Sequence, residues 1–467
     1  MRLAAFVGAL TLSACVHAPL RPAGEPQLSY LLVPPPAGSW TVHVEARFER
    51  APTDRLVGPE VGGTLPRIEL VDGDGARALP REQGAWRAPS CRERCTIRYD
   101  LDLEAVVSAC HGFGCPRRVG GALLGPADMW IVRPEVMADA AIRVRVVGPD
   151  AQRLATGLRK DPSGGYAFRG HELGEAAYTA FGDLRRSKVE VPGGALEVVL
   201  LGAPLAMGDA ATLTWIRNAA SCVARLYGRF PADATIFVVP VEGADEVVFG
   251  RVMSLAGGSV ALLFGTATRP ETARSDWVVV HELSHLGAVS FVGEGHWLEE
   301  GLATYYEPIL RERAGWMREQ DLWAHFVREM PRGVRQPDDP ASLEERDGID
   351  ATYWGGALFA FLADVRIRTE TRGARGLDDV LRASLARLGD ATHSARVVDF
   401  IDTGVAATGT PALREEYEEL AVQGRGVDLE ATWRALGVVP AADGSVTLRD
   451  DAPLAAVRKA IATGDVH

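Results

Sequence analysis

His281-Glu282-Leu283-Ser284-His285 (HELSH), followed after fourteen residues by Glu300 within Trp297–Glu307 (WLEEGLATYYE), is the stretch whose reading decides the fold. On a helix, residues four apart share a face, so His281 and His285 can aim both imidazoles at one point. Neutral imidazole is a good zinc ligand, and Glu282 between them projects toward the side where a metal-bound water would sit. A third protein ligand completes a tripod and leaves one coordination position open, which is the arrangement of a catalytic zinc site rather than a structural one. The spacing therefore predicts one zinc ion held by a helix–loop–helix. The bland alternative, an exposed helix with two incidental histidines, loses ground because apolar Trp277–Val280 leads into the motif. Pro270 is placed to open the ligand helix at its first position, where a missing N–H costs nothing.

Two residues compete with Glu300 for the third position: Glu299 beside it, and His296 just upstream. A further histidine six residues after the second, the metzincin arrangement, is absent, because that position is Phe291. WLEEGLATYY instead resembles the gluzincin pattern W-L-x-E-G-x-A-x-Y, in which a glutamate directly before a glycine is the third ligand. The resemblance implies that Glu300, preceding Gly301, binds the metal and that Glu299 points elsewhere; His296, lying before the helix pattern, reads as a polar loop residue. The gap between the two motifs is shorter than is usual in aminopeptidase N relatives, so the loop over the site differs. Its three glycines, between Gly287 and Gly295, suggest a lid.

Tyr353-Trp354-Gly355-Gly356-Ala357-Leu358 resembles the Y-x-x-G-x-L element of the aminopeptidase N, leukotriene hydrolase and glycyl aminopeptidase families. There the tyrosine hydrogen-bonds the oxyanion of the tetrahedral intermediate, a task a phenol suits because it donates without adding permanent charge. The resemblance extends this role to Tyr353, and it gives Thr304, one turn beyond Glu300, a hydroxyl that steadies a ligand. One family element is missing: the G-x-M-E-N segment whose glutamate anchors a substrate amine. The corresponding stretch is read as Gly257–Phe264, a glycine turn into an apolar strand with no acid. Gly258, Ser259 and Val260 are expected there to align a peptide by strand addition. Glu242, Asp245 and Glu246 are nearby acids with no spacing argument in their favour. Removal of N-terminal residues is thereby put in doubt, and internal cleavage is at least as well supported.

The N-terminus speaks to compartment. Arg2, the short apolar run Leu3–Leu12, and Leu12-Ser13-Ala14-Cys15 have the proportions of an export signal, too short to span a bilayer. L-S-A-C resembles the bacterial lipobox, which implies cleavage after residue 14 and lipid attachment at Cys15. Val16 is not an aspartate, so retention at the inner membrane is not indicated, and the outer membrane is favoured. Residues 15–39, rich in proline, read as a flexible tether. With a net charge of −12 and no basic stripe, a nucleic-acid partner is excluded. Of the five remaining cysteines, Cys91, Cys95, Cys110 and Cys115 cluster. An exported chain favours disulfides over a zinc module, with three connectivities open. Cys222 reads as a buried apolar residue.

A length of 467 residues predicts two to three domains. Alternation at Val42, Val44, Ala46 and Phe48, at Ile97, Tyr99, Leu101 and Leu103, and at Ile142, Val144 and Val146 predicts an antiparallel β-rich domain over 40–205. A zinc-binding catalytic domain follows at 206–310, then a helical domain at 311–440 and a loosely packed tail at 441–467. The fold class expected is multidomain α+β: β-rich N-terminal domain, thermolysin-like gluzincin zinc domain, helical C-terminal domain. The expected function is zinc-dependent hydrolysis of a peptide or protein substrate by a lipid-anchored protein of the bacterial envelope. The rival is an envelope binding or scaffold protein that keeps the fold without proteolysis.

Overall fold

The computed structural model describes residues 27–464, apart from 60–66, 74, 113, 138 and 292. The export signal and Cys15 lie outside the described residues. Seven strands form the first sheet: β1 Gln27–Val33, β2 Thr41–Glu49, β3 Ile68–Asp72, β4 Gly75–Ala78, β5 Arg94–Asp102, β6 Ala141–Val146 and β7 Tyr166–Arg169. Their order is β7–β6–β1–β2–β5–β3–β4, antiparallel throughout except for the parallel pair β1 and β6. Val42, Val44, Ala46 and Phe48 of β2 all face inward, as period-two alternation requires.

The expected tether is corrected over its second half. Gln27–Val33 is an inner strand, with Leu28, Tyr30 and Leu32 buried at 1% exposure or less. The flanking prolines masked an alternation of the same kind as that in β2. The four clustered cysteines form two local disulfides, Cys91–Cys95 and Cys110–Cys115, while Cys222 is free and buried. A short helix, α1 Leu103–Ala109, links β5 to the second of these bridges.

A second sheet carries the metal region. Its strands are β8 Arg185–Val191, β9 Gly194–Leu200, β10 Ala234–Val241, β11 Val247–Met253 and β12 Gly258–Gly265, in the order β8–β9–β10–β12–β11. β8 and β9 therefore belong with the metal region rather than with the β-rich part, and β10 runs on through Pro240. This sheet is covered on both faces, which is why β10 and β12 read as continuous apolar runs. One face (Val198, Ile236, Val260, Leu262) packs on helix α2 Asp209–Tyr227 and the helices beyond. The other (Val199, Phe237, Ala261) packs on Leu124 and Ala180 of N-terminal strands.

Three helices follow: α3 Pro270–Ser275, α4 Val278–His285 and α5 His296–Arg313. Beyond them lie α6 Glu319–Glu329, α7 Gly356–Glu370, α8 Leu377–Arg387, α9 Val397–Thr408, α10 Ala412–Glu416, α11 Leu429–Leu436 and α12 Ala455–Thr463. The expected loose tail is not loose. Arg458 and Ile461 of α12 are buried, and Arg313 of α5 donates to the Ile461 and Ala462 carbonyls. Those carbonyls lie in the last turn of α12, where the helix leaves them without partners of its own.

Candidate metal centre

The ligand helix does not begin at Pro270. That proline opens the separate short helix α3, and the Asp276 carboxylate then accepts the Val278 N–H at 2.9 Å to start α4. Val278, Val279, Val280 and Leu283 bury the helix in the core, which leaves His281, Glu282 and His285 facing a cleft of about 730 Å³. α5 returns beneath it from a left-handed Gly295, φ 76°. Gly295 offers no side chain to cap the helix, and Glu344, from the distant 3-10 turn Leu343–Glu345, does so instead. Its carboxylate accepts the Gly295 N–H at 2.8 Å and the Trp297 indole N–H at 3.0 Å. Nothing in the sequence around Glu344 announces this contact, which joins residues far apart in the chain.

His281, His285 and Glu300 converge, and they are the one such metal-ligand cluster among the described residues. His281 Nε2 lies 3.2 Å from Glu300 Oε2 and 3.2 Å from His285 Nε2, and His285 Nε2 lies 3.5 Å from Glu300 Oε2. Ligand atoms about 2.0–2.2 Å from a tetrahedral zinc stand about 3.3–3.5 Å apart, so this triangle fits the ion in size as well as in donor type. Burial opposes charge on the His285 imidazole, but Glu300 and then Glu282 hold it up, at about 9. Against the same opposing burial, His285 and His281 hold the Glu300 carboxyl well below the usual range.

The rivals for the third position are placed elsewhere. Glu299 accepts from Ser290 Oγ at 3.1 Å and from the Phe291 N–H. His296, expected in a loop, instead opens α5, where it is exposed on the cleft wall and stands apart from the cluster. The expected lid is tied down: besides the Glu299 contacts, Ser290 N–H and Ala395 N–H pair it with the segment around His393. Thr304 steadies no ligand, because its buried hydroxyl has no hydrogen-bond partner.

His281 Nδ1 is also buried without a partner. Ring contacts set this imidazole's orientation instead: Trp277 meets it edge-on at 5.4 Å, and Tyr353 stacks on it at 5.9 Å with 12° between planes. Tyr353 sits in a π-helical turn, Asp350–Gly355, before α7. Burial, and then the negative charge of Glu300, push its phenol up. Glycines bring the two motifs together: a methyl on Gly356 would lie 1.9 Å from the Trp297 carbonyl oxygen. The glycines of the two motifs are thus a packing requirement of α5 against α7.

Glu282 is 9% exposed and packs against β11, where a methyl on Gly250 would meet its Cγ at 2.3 Å. Burial pushes its carboxyl up, with His281 and His285 pulling the other way. β11, the outermost strand of its sheet, lines the cleft.

The expectation that Gly258, Ser259 and Val260 align substrate is corrected. β12 is paired on both sides, and Ser259 is fully buried. Its hydroxyl accepts the Tyr178 N–H and donates to the Met253 carbonyl, each at 2.9 Å, tying the edge strand to the β-rich region. An apolar run reads alike in inner and edge strands, so only the pairing separates them. Glu242, Asp245 and Glu246 do not line the cleft; the acid that reaches it from the β-rich region is Glu175, 4.0 Å from Arg251 of β11.

No family model matches the chain, and no curated protein matches it in sequence. Solved structures match it in fold. An aminopeptidase N family protein from Idiomarina loihiensis superposes with a TM-score of 0.62 at 15% identity, over 90% of this chain and 81% of that one. An M1 zinc metallopeptidase from Deinococcus radiodurans gives 0.48 at 16% identity, over 86% of this chain and 95% of its own. Native yeast LTA4 hydrolase gives 0.47 at 12% identity, over 86% of this chain and 69% of its own. The chain has an aminopeptidase N-like fold.

Proposed function

We propose that this chain is a zinc-dependent peptidase of the gluzincin type, its metal region thermolysin-like, anchored in a bacterial envelope through lipid on Cys15. The observation that carries the reading is the triangle of His281, His285 and Glu300, with Glu282 beside it in a cleft along an open strand edge. His281, His285 and Glu300 would hold the zinc, which when bound would lower the pKa of a water toward neutrality and polarise a substrate carbonyl.

The remaining steps belong to the chain. An extended peptide pairs with the free edge of β11, which brings its backbone past the ligand triangle. Glu282, packed against Gly250 of β11, takes the proton of the attacking water on a carboxyl oxygen and passes it to the leaving amine. Tyr353, beside Glu300, donates a hydrogen bond to the oxygen that gains charge. β11 carries Arg251 and no acid, so a free amine in this cleft would have to be held by an acid from another element, such as Glu175.

The test is mass-spectrometric profiling of a diverse peptide library with the zinc-loaded chain, Glu282→Gln alongside. Cleavage by the wild type alone is expected, with internal and terminal cuts separating endo- from exo-action. Zinc bound by both proteins with no cleavage by either would replace this reading with the envelope binding or scaffold protein.

A further inference from the structure

A soluble surface seldom concentrates large apolar side chains, and where it does the patch usually meets something. Among the described residues nine large hydrophobic side chains are exposed, and three of them, Val248, Phe249 and Trp277, line the metal cleft. They are 47%, 39% and 49% exposed. Neither element needs them for its core, because the adjoining Val247 and Val278 are each buried to 5% exposure.

The three come from separate elements. Val248 and Phe249 lie on β11 where its register against β12 shifts, and Trp277 stands in the turn before α4. The indole is held in place by its edge-on contact with His281, so it faces the cleft at the metal cluster itself. Another part of the wall is polar, formed by Glu294, His296 and Glu344. A pre-positioned indole offers a substrate apolar area at little cost in side-chain freedom.

We propose that Trp277, with Val248 and Phe249, forms a specificity subsite for a large apolar, above all aromatic, side chain on a substrate residue next to the scissile bond. The inference rests on the peptide reading of this cleft. A peptide paired with β11 alternates its side chains, so one beside the metal cluster meets the Trp277 wall while its neighbours point away.

The test uses the full chain, zinc-loaded and carrying Glu282→Gln, with alanine hexapeptides that hold a single phenylalanine at each position in turn. Calorimetry should show at least one of them binding about tenfold or more tightly than hexa-alanine, the scale on which apolar pockets discriminate. That preference should shrink in Phe249→Ser and in Trp277→Ser backgrounds. Comparing two peptides within each variant cancels any general weakening of the metal site, and Phe249→Ser leaves the His281 ring contact in place. Equal binding of all peptides, a preference unchanged in both variants, or no binding at all would each overturn the subsite. Incubating the same peptides with wild type separates the two ideas: a bound phenylalanine peptide that is never cut refutes the peptidase and leaves the subsite standing.

Discussion

Gly301, the residue after Glu300, and Gly356, three residues after Tyr353, meet backbone to backbone. A methyl on Gly301 would lie 2.3 Å from the Gly356 carbonyl carbon, and one on Gly356 would lie 2.8 Å from the Gly301 Cα. This contact sets how closely α7 approaches α5, and with it how near the Tyr353 ring stands to His281 and Glu300. Gly301→Ala should destabilise the fold by about 1–3 kcal/mol, as overpacking does. Urea unfolding measures it, and an unchanged midpoint would show that the helices separate freely.

Glu282 has its own glycine. Gly250→Ala should push the carboxyl out of its place against β11 while leaving all three ligands untouched. The expected outcome is a fall of roughly 100-fold in kcat with zinc content unchanged, the scale set for a displaced catalytic group. Parallel zinc analysis and steady-state kinetics decide it; full activity would mean that Glu282 tolerates displacement.

The adjacent acids of α5 should separate cleanly. Glu300→Gln should weaken zinc binding by more than about 100-fold. Glu299→Gln should keep the zinc and loosen the Ser290–Phe291 segment, seen as faster amide exchange there. Competition with a chromogenic chelator measures the first effect. Equal zinc affinity in the two variants would contradict the assignment of Glu300.

Tyr353→Phe removes one hydroxyl and little else. If the phenol stabilises developing charge, kcat should fall by about 100- to 1,000-fold with zinc affinity unchanged. A change confined to KM would place the hydroxyl in substrate binding instead.

Glu307 of α5 lies buried beside Arg311, which also donates to the Ser275 carbonyl just ahead of the metal helix. Burial pushes the Glu307 carboxyl up to about 7 from 4.5, with Arg311 pulling the other way. The folded state therefore holds this proton more tightly than the unfolded chain does. The stabilising contribution is whole below about pH 4.5 and is lost as pH rises through about 7. Raising the pH from about 5 to about 8 should cost the wild type on the order of 3 kcal/mol that Glu307→Gln does not lose. Chemical unfolding of both proteins at the two pH values tests this, and parallel pH profiles would refute it.

The convergence of His281, His285 and Glu300 was legible because its logic is local. Two histidines four residues apart on a helix must share a face, and a glutamate followed by a glycine marks the helix that passes beneath them. Alternation likewise announced β2, β5 and β6, where one face is buried. Reading failed where the deciding contact lies far away in the chain. β1 hid among prolines, and its apolar alternation gains meaning only between β2 and β6. Thr304 has the right spacing, but its hydroxyl finds no partner in the packed core.

By itself, then, the amino-acid sequence determined the chemistry: which side chains can gather around a metal, and the helical periods that let them. Only the tertiary structure decided the cleft. β11 rather than β12 is the open edge, because β12 has strands on both sides. Glu344 caps α5, and Trp277 faces outward over His281. Strand order and long-range caps come from chain segments meeting in space, and neither hydrophobic period nor motif spacing encodes which segments those are.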